Sequence, residues 1–330
     1  MTDREPSARQ DEPHVDTLHG RGGNRLLWRD VPGPLRAEIE SRLESPVVAA
    51  ASKEGGFSPG LASVLRLADG RQVFAKAVSS ALNPVSPSMH RREAAISGRL
   101  PASAPVPKLL WSHDDGDWVV LVFEALAGDP PTLPWVPAER DRVLAALADL
   151  AAAMTPAPPG LDLPAIDVLD EDFSGWRCLL DRPDPRLAEV DPWAAERLAD
   201  LAAWETRWQA AAQGDTLLHG DIRADNVLLT GERVYFVDWP AATVGAAWVD
   251  LVLMLPSMAM QGAGEPEELL AGHPLARTAD KDAVTAVIAG LAGYFVSRSL
   301  QPPPPGIPTV RSFQRAQGLA CLRWLRQRGL

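Results

Sequence analysis

One segment constrains this chain more than any other: "LLHGDIRADNVLLTGERVYFVDW", residues 217–239, a polar and apolar mosaic set among Ala/Leu-rich stretches. An apolar strand runs into His219-Gly220-Asp221. A second apolar strand, a Gly turn and a third strand ending on Asp238 follow. Polar groups at the ends of buried strands cost free energy unless they are hydrogen-bonded or put to use. Asp221 stands just after the first strand and Asn226 five residues later, at the start of the next. A hairpin returns its last residue to the neighbourhood of its first, so Asn226 and Asp238 converge with Asp221 nearby. A carboxylate and an amide oxygen, completed by water and phosphate oxygens, make a sound magnesium shell. A second carboxylate, left free of the metal, is suited to accept a proton from a hydroxyl.

The rest of the chain divides around this segment. "PVVAAASKEGGFSPGLASVLRLADGRQVFAKAVS" (46–79) reads as three short strands, with Asp69-Gly70 as the hairpin turn between the second and third. "SMHRREAAISGRL" (88–100) has helical character, and "PKLLWSHDDGDWVVLVFEAL" (107–126) gives two more strands around Asp115-Gly116. The pattern predicts a five-stranded antiparallel sheet with one inserted helix. From residue 137 onward helices dominate, over 137–154, 192–212, 246–260, 279–299 and 311–328. The expected architecture is α+β and bilobal: a leader to about residue 25, an N-terminal lobe over 26–126 and a helical lobe over 127–330. The leader is polar and reads as disordered.

Composition narrows the function. The formal net charge of −11 disfavours nucleic acid, whose phosphates call for Lys and Arg. The acidity suits solubility or attraction of a cationic small molecule equally well. Two cysteines, Cys178 and Cys321, give neither a disulfide framework nor zinc spacing. The N-terminus has no apolar signal core, and no run of 18 apolar residues exists, so no membrane span is expected. A cytoplasmic, reducing setting is the expectation.

Across the join near 124–131, further residues bear on chemistry. A Gly-rich turn, Gly55-Gly56-Phe57-Ser58-Pro59-Gly60, lets backbone N–H groups approach phosphates; its bland reading is a surface turn. Lys76 in "VFAKAV" either pairs with Glu93 of the following helix or sits on a solvated face.

Taken in order, these parts resemble the aminoglycoside phosphotransferase/choline kinase branch of the kinase-like fold. "HGDIRADNVLL" followed by "VDW" is similar to that family's catalytic and metal-binding segments, and the likeness spans roughly residues 50–330. It implies a phosphotransferase using ATP (or GTP) and Mg2+, as a monomer or homodimer. Gly55, Gly56, Phe57, Ser58 and Gly60 would cover the phosphates, and Lys76, oriented by Glu93, would hold them. Phe123, Glu124, Ala125 and Leu126 would meet the adenine. Asp221 would take the acceptor proton, and Asn226 and Asp238 would ligate magnesium. Arg223 either neutralises the γ-phosphate or pairs with Asp225. His219 and Asp250 are expected to be structural. "HGD" stands where protein kinases have "HRD", and no A-P-E segment follows Asp238, so the expected acceptor is a small molecule. An antibiotic-like hydroxyl compound, first an aminoglycoside, is the leading choice; a nucleoside, a peptide antibiotic and a metabolite stay open. The acidic segments 167–172, 181–184 and 264–270 either line a cationic acceptor's cleft or are solvated charges.

Two rivals carry different chemistry. Gly56-Phe57-Ser58-Pro59-Gly60 matches the G-x-S-x-G nucleophile elbow, with "HGRGG" (19–23) and His273 as further parts of a hydrolase. That elbow needs a strand before it and a helix after it, whereas residues 61–78 read as a hairpin. The other rival is a non-catalytic nucleotide-binding protein on a kinase scaffold.

Overall fold

The computed structural model describes residues 25–53, 60–161, 163–304 and 308–330. The leader and the turn residues 54–59 lie outside that set. Five strands form one antiparallel sheet: β1 (Val47–Ser52), β2 (Leu61–Leu67), β3 (Gln72–Ser79), β4 (Leu109–Asp114) and β5 (Trp118–Glu124). Their order is β1-β2-β3-β5-β4. The expected turns at Asp69-Gly70 and Asp115-Gly116 join β2 to β3 and β4 to β5.

Alternation along β3 assigns its faces. Val73, Ala75 and Ala77 point into one core, which Val120 and Val122 of β5 share. That core is capped by α1 (Gly33–Leu43), a helix absent from the sequence expectation, through Leu35, Ile39 and Leu43. Their i, i+4, i+8 spacing is a single apolar stripe, too narrow to stand out against the polar residues around it. Phe74 and Lys76 point to the opposite face, where Val119, Leu121 and Phe123 pack beneath α2 (Ser86–Ser97). Lys76 is therefore enclosed between sheet and helix rather than solvated.

The remainder is mainly helical. Its larger helices are α3 (Pro137–Ala153), α4 (Gly175–Asp181), α5 (Leu198–Glu205), α6 (Val249–Met260), α7 (Lys281–Ser299) and α8 (Val310–Gln327). The single helix expected over 192–212 is instead broken into 192–196, 198–205 and 208–211, with non-helical backbone at Arg197 (φ −103°, ψ 16°). No Gly or Pro marks either break, so periodicity alone missed them. Trp135, Trp176 and Trp208 are buried in the core of this half, and Trp204 is partly buried against it.

Four short strands sit inside this half: β6 (Thr216–Leu218), β7 (Val227–Leu229), β8 (Val234–Phe236) and β9 (Thr243–Gly245). The three strands expected over 217–239 do not form one unit. β7 pairs with β8, but β6 pairs with the unforeseen β9. Asp238 lies two residues past the end of β8 rather than on it.

Candidate active site

The loop after β6 is held by two buried side chains. The Asp250 carboxylate, on the first turn of α6, accepts the backbone N–H of His219 at 2.7 Å and of Gly220 at 2.9 Å. The His219 Nε2 lies 2.9 Å from the Val237 carbonyl, and its Nδ1 is 3.3 Å from the Asp221 backbone N–H. With Nε2 donating, Nδ1 accepts, and burial lowers the His219 pKa against the attraction of Asp250, so the ring is neutral. His219 and Asp250 are structural, as expected.

Gly220 explains why this loop reads H-G-D. Its φ is +79°, and a Cβ there would stand 2.5 Å from the Ala241 carbonyl oxygen. A larger residue would meet both backbone strain and a clash.

The next turn brings Asn226 back to Asp221. The Asn226 amide nitrogen donates to the Asp221 carbonyl at 2.8 Å, which leaves its Oδ1 as the amide's acceptor for another group. The Val237 N–H donates to the Asn226 carbonyl at 3.0 Å, so the residue preceding Asp238 is tied to Asn226 itself. Asp238 then turns with φ +69°, a left-handed conformation that Asp tolerates better than most residues.

Lys76 closes the cluster from the sheet. Its Nζ lies 2.7 and 2.9 Å from the two Glu93 oxygens and 2.7 Å from Asp238 Oδ1. Of the two readings of Lys76, pairing with Glu93 is the one realised. Burial alone would lower the Lys76 pKa, but Asp238 and Glu93 outweigh it and raise it, so the ammonium stays charged. Burial pushes Asp238 up, yet the Lys76 charge and hydrogen bond hold it at about 2.

Arg223 forms a second cluster beside the first. It donates to both oxygens of Asp221, at 2.7 and 2.9 Å, and to both of Asp225, at 3.0 Å each. Burial raises Asp221, Arg223 lowers it, and the nearby charges of Asp225 and Asp238 raise it; the balance is about 6. The Asp221 side chain keeps 43 % exposure, so it still faces the cleft.

The donor set fits a magnesium nucleotide rather than a metal bound by protein alone. Asn226 Oδ1 and the Asp238 carboxylate are two hard oxygen donors. Among the described residues no group of three or more His, Cys, Asp or Glu is arranged to hold a metal. Phosphate oxygens and water would complete the shell, as Mg2+ prefers.

Of the remaining expected residues, Gly55, Gly56, Phe57 and Ser58 lie outside the described set. Gly60 is described, just before β2. Phe123 and Glu124 end β5, with Ala125 and Leu126 half-buried beyond them. Sequence reasoning missed what anchors this linker. Asp129 and Leu229 exchange backbone hydrogen bonds of 3.2 and 2.8 Å, fastening it to the edge of β7. No side-chain pattern encodes such a contact.

Four of the nine acidic residues in these segments pair with arginines. Asp170 pairs with Arg177 at 2.7 Å, Asp172 with Arg298 at 2.9 Å, Asp184 with Arg186 at 2.6 Å and Glu267 with Arg328 at 2.6 Å. The hydrolase rival fails on geometry. Gly60 leads into a strand, and His273 is used up in bonds to the Leu144 carbonyl and the Leu275 N–H.

The sequence model of the phosphotransferase enzyme family matches residues 57–286. The crystal structure of aminoglycoside phosphotransferase APH(4)-Ia is similar over 90 % of this chain and 98 % of its own, at 15 % identity and TM-score 0.58. Choline kinase LicA from Streptococcus pneumoniae is similar over 89 % and 98 %, at 14 % identity and TM-score 0.57. Spectinomycin phosphotransferase APH(9)-Ia, in complex with ADP and its antibiotic, is similar over 89 % and 93 %, at 13 % identity and TM-score 0.53. At such identities these likenesses speak to fold. No curated protein sequence matches the chain.

Proposed function

The chain belongs to the phosphotransferase enzyme family and is a small-molecule phosphotransferase, and from that premise we propose that it transfers the γ-phosphoryl group of ATP to a hydroxyl of an antibiotic-like small molecule. One observation carries the reading. Asp221, Asn226 and Asp238 meet around a single hairpin, and the Lys76–Glu93 pair is aimed at Asp238 from the sheet.

Asn226 and Asp238 would hold Mg2+, which supplies neutralisation of phosphate charge. Lys76, set by Glu93, holds the α/β-phosphates where the nucleotide displaces its contact with Asp238. Asp221 accepts the acceptor's hydroxyl proton as its oxygen bonds to the γ-phosphorus and the bond to the ADP oxygen breaks. Arg223 orients Asp221 and offsets charge on the transferring group. Residues 26–126 serve as the nucleotide lobe and 127–330 as the acceptor lobe.

The aminoglycoside choice rests on resemblance. Arginines already pair with four of the nine carboxylates of the acidic segments, which weakens their claim on a cationic acceptor. No helix among the described residues is long and apolar enough to cross a membrane. The free thiols of Cys178 and Cys321 suit a reducing cytoplasm.

The test is phosphoryl transfer read by mass spectrometry. Wild type and Asp221→Ala are incubated with Mg-ATP against aminoglycosides, nucleoside and peptide antibiotics and amino alcohols. A product heavier by one phosphoryl group, absent with Asp221→Ala, supports the reading and names the acceptor class. Absence of product together with absence of thermal stabilisation by Mg-ATP overturns it.

A further inference from the structure

We propose that Arg92, which belongs to none of the motifs above, is a positioning residue for phosphate binding: it latches α2 to the helical lobe and so sets Glu93 against Lys76. The inference rests on the ATP-dependent reading.

Three successive residues of α2 reach three different partners. Arg91 donates to both oxygens of Asp114 on β4, at 2.7 and 2.9 Å. Glu93 accepts both bonds from Lys76 of β3, at 2.7 and 2.9 Å. Arg92 points about 100° around the helix from each of them. It leaves the sheet and donates to the Ala242 carbonyl at 2.6 Å. Its two neighbours thus bind α2 to its own sheet, while Arg92 carries the helix across to the other half of the molecule. Ala242 is a firm anchor. It is fully buried, and its N–H donates to the Trp239 carbonyl at 3.3 Å. β9 begins at the next residue and pairs with β6, which leads into His219-Gly220-Asp221. Thr243 and Val244 both hold the Pro164 carbonyl, at 2.8 and 3.1 Å. One bond therefore ties the neighbour of Glu93 to the segment that joins Asp238 to the strand pair behind Asp221.

The bond serves placement rather than charge balance. Burial lowers the Arg92 pKa with no carboxylate acting against it, whereas Arg91 and Arg177, paired with acids, are raised. A charge drawn partly out of water without an opposite charge costs free energy, so a neutral carbonyl is a partner chosen for direction. Packing alone does not set that direction. Ile96 carries α2 into the core of the helical lobe. Beside it a cavity of about 250 Å³ separates Arg92 and Arg99 from Leu163 and Pro164. A single apolar contact fixes distance but not rotation. Arg92, one turn before Ile96 on the same face, fixes the rotation. The consequence falls on Lys76, which is shared between Glu93 and Asp238. When a nucleotide takes Lys76 from Asp238, Glu93 is the carboxylate left to aim it, and its aim follows the angle of α2.

The experiment is isothermal titration of Mg-ATP and of adenosine into wild type, Arg92→Met, Arg92→Lys, Arg99→Met, Glu93→Gln and the double variant Arg92→Met with Glu93→Gln. Melting curves show that each is folded, and Arg92→Leu takes the place of Arg92→Met if that variant is not. No knowledge of the acceptor is needed. The expected result for Arg92→Met is a loss of about threefold to thirtyfold in Mg-ATP affinity, with adenosine binding unchanged. The same substitution should cost nothing further on the Glu93→Gln background, because the latch acts through Glu93. Arg92→Lys, which keeps a donor, should recover part of the loss. Arg99→Met removes the same charge from the exposed end of the helix and should bind Mg-ATP like wild type. Four outcomes overturn the inference: Arg92→Met binds Mg-ATP like wild type; it weakens adenosine as much as Mg-ATP; its full loss persists beside Glu93→Gln; or Arg99→Met reproduces it. A folded wild type that binds no Mg-ATP overturns the ATP reading itself, and the role of Arg92 with it.

Discussion

The Lys76 cluster and the Arg223 cluster are built from the same parts, one cation between two acids, yet they present opposite chemistry to the cleft. In the first, Lys76 serves Glu93 and Asp238. Burial, ahead of the pull of Lys76, raises Glu93, while Asp238 is held at about 2. In the second, Arg223 serves Asp221 and Asp225, and Asp221 is the acid pushed up, to about 6. The difference lies in which acid the surroundings push up, the hidden one in the first cluster and the cleft-facing one in the second. The Glu93 side chain is only 3 % exposed, whereas Asp221 faces the cleft. One cluster offers the cleft a permanent anion, the other a base poised near neutral pH. Two carboxylates whose environments drive their pKa values apart are the mark of divided roles.

The largest effect should come from breaking that division. Asp221→Asn is expected to cut phosphoryl transfer about 10²- to 10⁴-fold while leaving Mg-ATP affinity near wild type, since only the base is lost. Asp238→Asn should do the reverse first, weakening nucleotide binding in a Mg2+-dependent way. Single-turnover rates and titrations with and without Mg2+ read both. If Asp221→Asn instead lost Mg-ATP binding and Asp238→Asn kept it, the roles drawn here would be exchanged.

A second prediction concerns what holds the base in place. Asp250 carries two buried backbone N–H groups of the loop, and removing a partner leaves each unsatisfied. Asp250→Ala should cost about 2–5 kcal/mol of stability in urea unfolding. A loss below about 1 kcal/mol would show that water replaces the carboxylate there and that the loop does not depend on it.

How much of this was legible follows from which physics each part uses. Asp221, Asn226 and Asp238 flank short patterned strands, so their convergence could be read from the hairpin, whereas the place of Lys76 and Glu93 beside them came from the resemblance. Structural roles were expected for His219 and Asp250, the latter from the resemblance, and both are buried; the neutral state of His219 emerged only with the hydrogen bonds of its ring. The contacts that went unseen are made by backbone. β9 pairs with β6 through three residues, Thr243–Gly245, too few to show a period. The Asp129–Leu229 bond and the Arg25–Gly60 bridge join segments far apart in sequence through groups that every residue carries. Arg223 was readable only as two alternatives, a neutraliser of the γ-phosphate or a partner of Asp225; the structure shows the Asp225 pair and adds one with Asp221 that was not foreseen.

The smallest effect is the sharpest test of the comparison, because it asks whether Arg223 acts through Asp221. A base with a pKa of about 6 is ionised, and so competent, only above that value. Transfer should therefore rise with pH through about 6 and level off above it. Arg223 lowers the Asp221 pKa and Asp225 raises it. Arg223→Met should then move the midpoint of the profile upward, and Asp225→Asn should move it downward, each by about one pH unit or less, an interaction of ~1.4 kcal/mol at most. Amplitudes will fall in Arg223→Met if the guanidinium also meets the transferring phosphoryl group, but amplitude and midpoint are separate readings. Opposite displacements of the midpoint would tie both neighbours to the base. Displacement in the same direction, or none, would mean that the profile reports another group and that the Arg223 cluster does not set the proton acceptor.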